Sequence, residues 1–141
     1  RLHYRGAEVT VVLVGSSAHE MGRGECEAAG AAVIDGRSDP DVAHAAVERA
    51  DLILDGIVGI GASAGLRSPA DALVAAIPDG AAVVSVDLPS GLDVDSGDDS
   101  APHVSADVTV TFTAAKPCLV EHPAAASAGR VVVAQVGIPL P

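Results

Sequence analysis

Two aspartates stand at the ends of short apolar runs. Leu52-Ile-Leu-Asp55 leads into Gly56, and Val83-Val-Ser-Val-Asp87 leads into Leu88-Pro89-Ser90-Gly91. Unbroken runs of aliphatic residues at this length read as strands inside a sheet. In an open parallel sheet, ligands bind outside the carboxyl ends of the strands. If these two strands are neighbours, both carboxylates overlook one rim, where a carboxyl group can carry protons or hold a cation. Either aspartate alone could instead cap a turn.

Between them lies Gly59-Ile60-Gly61-Ala62-Ser63-Ala64-Gly65. Three glycines let the backbone approach a ligand closely, and its N–H groups can cradle a pyrophosphate. The spacing departs from the dinucleotide fingerprint, and a plain flexible loop explains it equally well. The charge balance adds weight to the first reading. With 8 Lys and Arg against 19 Asp and Glu, the net charge is −11. Such a chain has no basic patch for phosphate and must use backbone N–H groups or a bound cation. The same charge excludes nucleic acid and anionic membrane as partners.

Other candidates carry less. Lys116 follows a strand and could reach the same rim, although a solvated lysine is the simpler reading. The acidic loop Asp93–Asp99 fails as an EF-hand, which wants glycine where Asp98 stands and glutamate where Val104 stands. Pro89-Ser90-Gly91 does not match the nucleophile elbow. The five histidines lack ligand spacing and read as surface or packing residues. Cys26 and Cys118 make neither a disulfide framework nor a metal site, and read as small apolar thiols in a reducing cytoplasm. No apolar run approaches the ~20 residues needed to cross a bilayer, and no signal peptide is evident.

The elements that must position these residues follow from periodicity. Strands are expected at Val9–Val14, Ala32–Ile34, Leu52–Asp55, Ala82–Asp87, Val108–Thr113 and Val131–Val136, most of them near-continuous apolar runs of the kind covered on both faces, with Val108–Thr113 differing by its alternation. In Val108–Phe112, Thr109 and Thr111 share one face. Ser17-Ala-His-Glu20 reads as a capping box for a helix that ends at Gly30. Asp39-Pro40 starts a second helix, with Val42, Ala46, Val47 and Ala50 on its apolar face. Ser68-Pro69 repeats that device for a third, faced by Leu73, Ala76 and Ile77 and closed by Pro78-Asp79-Gly80. Ser90–His103 reads as a loop. Alternating strand and helix predicts βαβ units, a parallel sheet and one domain over 1–141.

Taken together, Asp87-Leu-Pro-Ser-Gly-Leu-Asp93, Asp51-Leu-Ile-Leu-Asp55-Gly with Gly59-Ile-Gly61, Ala106–Phe112 with Lys116, and the closing Val136-Gly-Ile-Pro139 resemble the NAD(P)H-hydrate epimerases. These are the YjeF N-terminal domains, called apolipoprotein A-I binding proteins in animals. The resemblance implies a Rossmann-like three-layer α/β/α sandwich with a mostly parallel sheet. It implies a substrate of NADH or NADPH hydrated on the nicotinamide ring, a potassium ion, a fused or separate dehydratase, a homo-oligomer and a cytoplasmic setting. Residue by residue, it makes Asp55 and Ser90 potassium-site positions, and Gly59 to Gly65 and Asp87 substrate-binding positions. The family's Asn-Asn-Gly-Gly-Asp stretch is absent, and the chain begins just after it, so the domain reads as incomplete at its N-terminus.

The hydrated carbon bears a hydroxyl beside the ring nitrogen. Hydroxide can leave with a proton from an acid, and water can return to the opposite face. Asp87 could serve both steps if burial brings it towards neutrality. Two rivals stand beside this reading. One is the nucleotide-binding domain of an NAD-dependent dehydrogenase, for which Asp87 lies about twenty residues past Gly65, near the ribose-binding spacing. The other is a non-catalytic binding or scaffold protein of the same fold.

Overall fold

The computed structural model describes residues 2–16, 18–58 and 64–137. Among these residues six strands form: β1 (Thr10–Leu13), β2 (Ala32–Asp35), β3 (Leu52–Asp55), β4 (Ala82–Val86), β5 (Val108–Phe112) and β6 (Arg130–Ala134). Each overlaps an expected run. Three helices connect the early ones: α1 (Glu20–Ala28), α2 (Pro40–Glu48) and α3 (Ala70–Ala75). Every strand pair is parallel, and each connection is a crossover long enough for that, with a helix between β1 and β2 and between β3 and β4.

The strands divide into two sheets, β1-β2 and β3-β4-β5-β6. Alternation of strand and helix fixes direction but not adjacency, so the break between β1 and β3 is not written in the periodicity. The pairing that matters is direct: β3 lies beside β4, with Asp55 opposite Ser85.

Helix ends follow local chemistry with three corrections. The α1 cap is the His19 ring, which accepts from the Gly22 N–H at 3.1 Å; Ser17, expected in that role, lies outside the described residues. Gly30, just past α1, adopts φ +90°, which glycine alone tolerates freely. Pro40 opens α2 as expected, and Ala46, Val47 and Ala50 are half-buried as expected, but Ala43 is the buried residue in place of Val42, which faces outward. Pro69 precedes α3 as its cap rather than entering its first turn.

Strand alternation sorts the four-stranded sheet into two unlike faces. One carries Asp55, Ser85, Thr109 and Val131 in register across all four strands. It packs under the segment after β4 and the two 3-10 turns Pro117–Leu119 and Ala124–Ala128. Leu88, Leu92, Cys118, Leu119, Ala124 and Ala128 form the core there, and Val83, Val104 and Ala106 with Val74 and Ile77 form a second cluster. The opposite face leaves Leu52, Leu54, Val86, Phe112 and Val132 exposed. The expectation of strands covered on both faces is therefore met fully on one face only; on the other, Val84, Val108 and Val110 are half-buried and the apolar residues just named are exposed. No described helix is long and apolar enough to cross a membrane.

Cys118 is fully buried in this core, and burial pushes its thiol up from its ordinary value. Little thiolate is then present near neutral pH. A maleimide added to the native protein should label the half-buried Cys26 and spare Cys118 until denaturant is added; mass spectrometry reads the sites. Equal labelling of both in the native state would contradict the core described.

Candidate active site at the sheet rim

Asp55 ends β3 with its side chain buried. An isolated buried carboxylate is costly, so its oxygens must be satisfied. Oδ1 accepts from the Ser90 hydroxyl at 2.6 Å and the Ile57 N–H at 3.3 Å. Oδ2 accepts from the Ser85 hydroxyl and the Ser90 N–H, each at 2.8 Å. Four donors thus converge on one carboxylate, two of them from Ser90. In turn the Ser90 hydroxyl accepts from the Val58 N–H at 3.1 Å. Asp55 is the clasp that pins the turn after β4 to the end of β3.

The clasped turn in its turn anchors the loop beyond it. The Ser90 carbonyl accepts from Val104 N–H at 2.9 Å, and Gly91 carbonyl from Gly65 N–H at 2.7 Å. Gly91 has φ +99°, and a Cβ there would stand 2.5 Å from the Pro102 carbonyl oxygen. Only glycine fits that approach. His103, read from sequence as a surface or packing residue, fastens the far end of the loop. Its Nδ1 meets the Ala101 carbonyl at 2.7 Å, and its Nε2 meets the Ser127 hydroxyl at 2.8 Å.

Asp87 closes β4 one strand away from Asp55, on the same rim. Its backbone adopts φ +75°, an uncommon conformation for a residue other than glycine, which aspartate tolerates better than most. Its N–H bonds the Val110 carbonyl at 2.8 Å, so the turn is tied to β5. Lys116 pairs with Asp87 Oδ1, and the Thr111 hydroxyl donates to that same oxygen at 3.2 Å. Lys116 also donates to the Thr111 hydroxyl at 2.6 Å and to the Phe112 carbonyl at 3.4 Å. Both charged side chains are nearly buried, at 16% and 15% relative exposure. Lys116 is not the solvated lysine that its composition suggested. The signal for its role was Thr111 on the buried face of β5, five residues upstream.

The structure thus gathers Asp55, Ser90, Asp87 and the Gly65 end of the glycine loop at one rim. Ala64 is exposed and Gly65 half-buried, with φ +86° at Gly65. Gly59, Ile60, Gly61, Ala62 and Ser63 lie outside the described residues. As to potassium, the Asp55–Ser90 pair offers oxygens only, one of them anionic, which suits a hard cation in type. Those oxygens already accept protein donors, and the described residues contain no group of three acidic, histidine or cysteine side chains fit for a metal.

Parallel strands, intervening helices and a polar rim at the strand ends define an α/β domain of Rossmann-like type. A yeast protein of known crystal structure, ynu0 (YNL200c), shares this fold, with a TM-score of 0.71 over 99% of this chain and 59% of that one at 23% identity. The chain belongs to the family described as YjeF-related protein N-terminus, which matches residues 1–118. It is similar to the NAD(P)H-hydrate epimerase of Clavibacter sepedonicus, 41% identical over 96% of this chain and 63% of that protein. It is also similar to the bifunctional NAD(P)H-hydrate repair enzyme Nnr of Hyperthermus butylicus, 35% identical over 98% of this chain and 26% of that protein. The chain therefore spans under two thirds of the relatives it matches.

Asp55→Asn tests the clasp. An amide puts donors where Ser85 and Ser90 already donate, so the variant should lose about 1–3 kcal/mol in urea unfolding. Unchanged stability would show that Asp55 does not hold the loop.

Proposed function

We propose that this chain is the epimerase domain of a nicotinamide-nucleotide repair enzyme. It would interconvert the two epimers of hydrated NADH or NADPH. The observation that carries the reading is Asp87: a rim carboxylate with one oxygen held by Lys116 and Thr111, beside a clasped loop joined to the glycine segment. Inverting the hydrated carbon requires one of its bonds to break and re-form on the other face. Either route needs a proton carrier next to the hydroxyl, and a positioned carboxyl group is such a carrier. The names of the relatives support the same substrate class.

The nucleotide's phosphates need donors that the −11 charge does not provide as side chains. Backbone N–H groups of the 59–65 segment are proposed to supply them. Asp55 and Ser90 would hold potassium, which supplies positive charge near an anionic substrate. The dehydrogenase alternative asks Asp87 to receive ribose hydroxyls, yet one of its oxygens is already taken by Lys116 and Thr111. A dehydratase acting on one epimer is the proposed partner activity, and the two unpaired cysteines suit a reducing compartment such as the cytoplasm.

Mixing one epimer of hydrated NADH with the protein and tracking both by chromatography tests the reading. Wild-type chain should bring the epimers to equilibrium. Asp87→Asn, which keeps the side chain's shape and tolerates the left-handed backbone, should lower the rate about 100-fold or more. A loss below tenfold removes Asp87 from the chemistry. The potassium proposal has its own readout. Replacing potassium by tetramethylammonium should lower the thermal midpoint of wild type and leave that of Asp55→Asn unmoved; equal shifts in both would end it.

A further inference from the structure

Epimerisation at Asp87 assigns no task to Lys116, yet Lys116 is the strongest contact of the proposed proton carrier. Its three N–H bonds go to Asp87 Oδ1, the Thr111 hydroxyl and the Phe112 carbonyl. Thr111 also donates to Oδ1. Both donors thus address one carboxylate oxygen, and Oδ2 accepts no hydrogen bond from the described residues. The carboxylate is fixed in rotation and left with one working oxygen.

Resting on the epimerase reading, we infer that Lys116 and Thr111 fix Asp87 as a one-oxygen base. The hydrated carbon then inverts by opening of its bond to the ring nitrogen, not by loss of its hydroxyl. Losing hydroxide needs a donor beside the leaving oxygen, and Lys116 directs its three N–H bonds to Oδ1, Thr111 and Phe112, away from the open Oδ2. Removing the hydroxyl proton needs only the carboxylate.

The step balances within the site. Oδ2 takes the hydroxyl proton as the oxygen forms a carbonyl and the carbon–nitrogen bond breaks. The bonding pair moves onto the ring nitrogen, where it delocalises through the adjacent double bond into the carboxamide. The freed aldehyde turns about its carbon–carbon bond. Nitrogen re-adds to the opposite face of the carbonyl, and the new alkoxide recovers its proton from Oδ2. Water is neither consumed nor released, and the ammonium stays charged throughout. Lys116 and Thr111 act through Asp87 and are positioning residues.

Two measurements on the full chain with hydrated NADH decide this. In oxygen-18 water, epimer formed by wild type should carry at most about a tenth of a label per inversion above the enzyme-free control. One label per inversion means that the hydroxyl leaves, and overturns the inference while sparing the epimerase reading. Separately, Lys116→Met should lower kcat about 100-fold with KM within about threefold, and Lys116→Arg, which keeps charge and donors, should regain at least about tenfold. A Met variant with wild-type kcat, or an Arg variant no better than Met, overturns the positioning role. If the Met variant loses its fold by circular dichroism, the wild-type label count and the Arg variant against wild type decide. A wild-type chain that inverts nothing overturns both readings.

Discussion

One carboxylate organises this molecule. Asp55 is buried, and a buried charge persists only where donors surround it. Its donors come from the end of its own strand, from Ser85 on β4 and from Ser90 beyond β4. Satisfying Asp55 therefore fixes the turn after β4 to the end of β3. That turn carries Leu88 and Leu92 into the core and presents Gly91 for its contacts with Gly65 and Pro102. Electrostatic necessity at one atom pair thus becomes the shape of a rim.

The second polar group differs in kind. Asp87 is held from one side only, by Lys116 and Thr111, in a backbone conformation that most residues avoid. Strained, partly satisfied groups collect at functional sites, whereas fully satisfied ones serve structure. Asp55 and Asp87 look alike in sequence, each an aspartate ending a strand. Their hydrogen-bond inventories separate them: four donors on one, a single occupied oxygen on the other. Asp55 is thus the clasp of the rim, and Asp87 keeps an oxygen open for the proton transfer proposed for it.

Much of this was legible in the residues. Short aliphatic runs gave the six strands of the described residues, because aliphatic and β-branched side chains suit a pleated, half-buried surface. The shared rim of Asp55 and Asp87 was expected from strand direction and the crevice rule on the condition that their strands are neighbours, which the β3–β4 pairing meets. Lys116 was placed near the rim but read as solvated, since its pairing with Asp87 spans 29 residues of chain and leaves no periodic trace. His103 escaped for the same reason: its contact with Ser127 spans 24 residues and leaves no periodic trace. The exposed face of the sheet was misread because an apolar run reports the character of its side chains, not whether anything covers them.

The central claim is that the hydrated ring is worked on at Asp87. A crystal structure of the chain with hydrated NADPH bound tests it most directly. The account predicts the ring hydroxyl within about 2.6–3.2 Å of Asp87 Oδ2, on the side away from Lys116. A nucleotide bound with its ring remote from Asp87, or with Oδ1 released from Lys116 to reach it, would contradict the account.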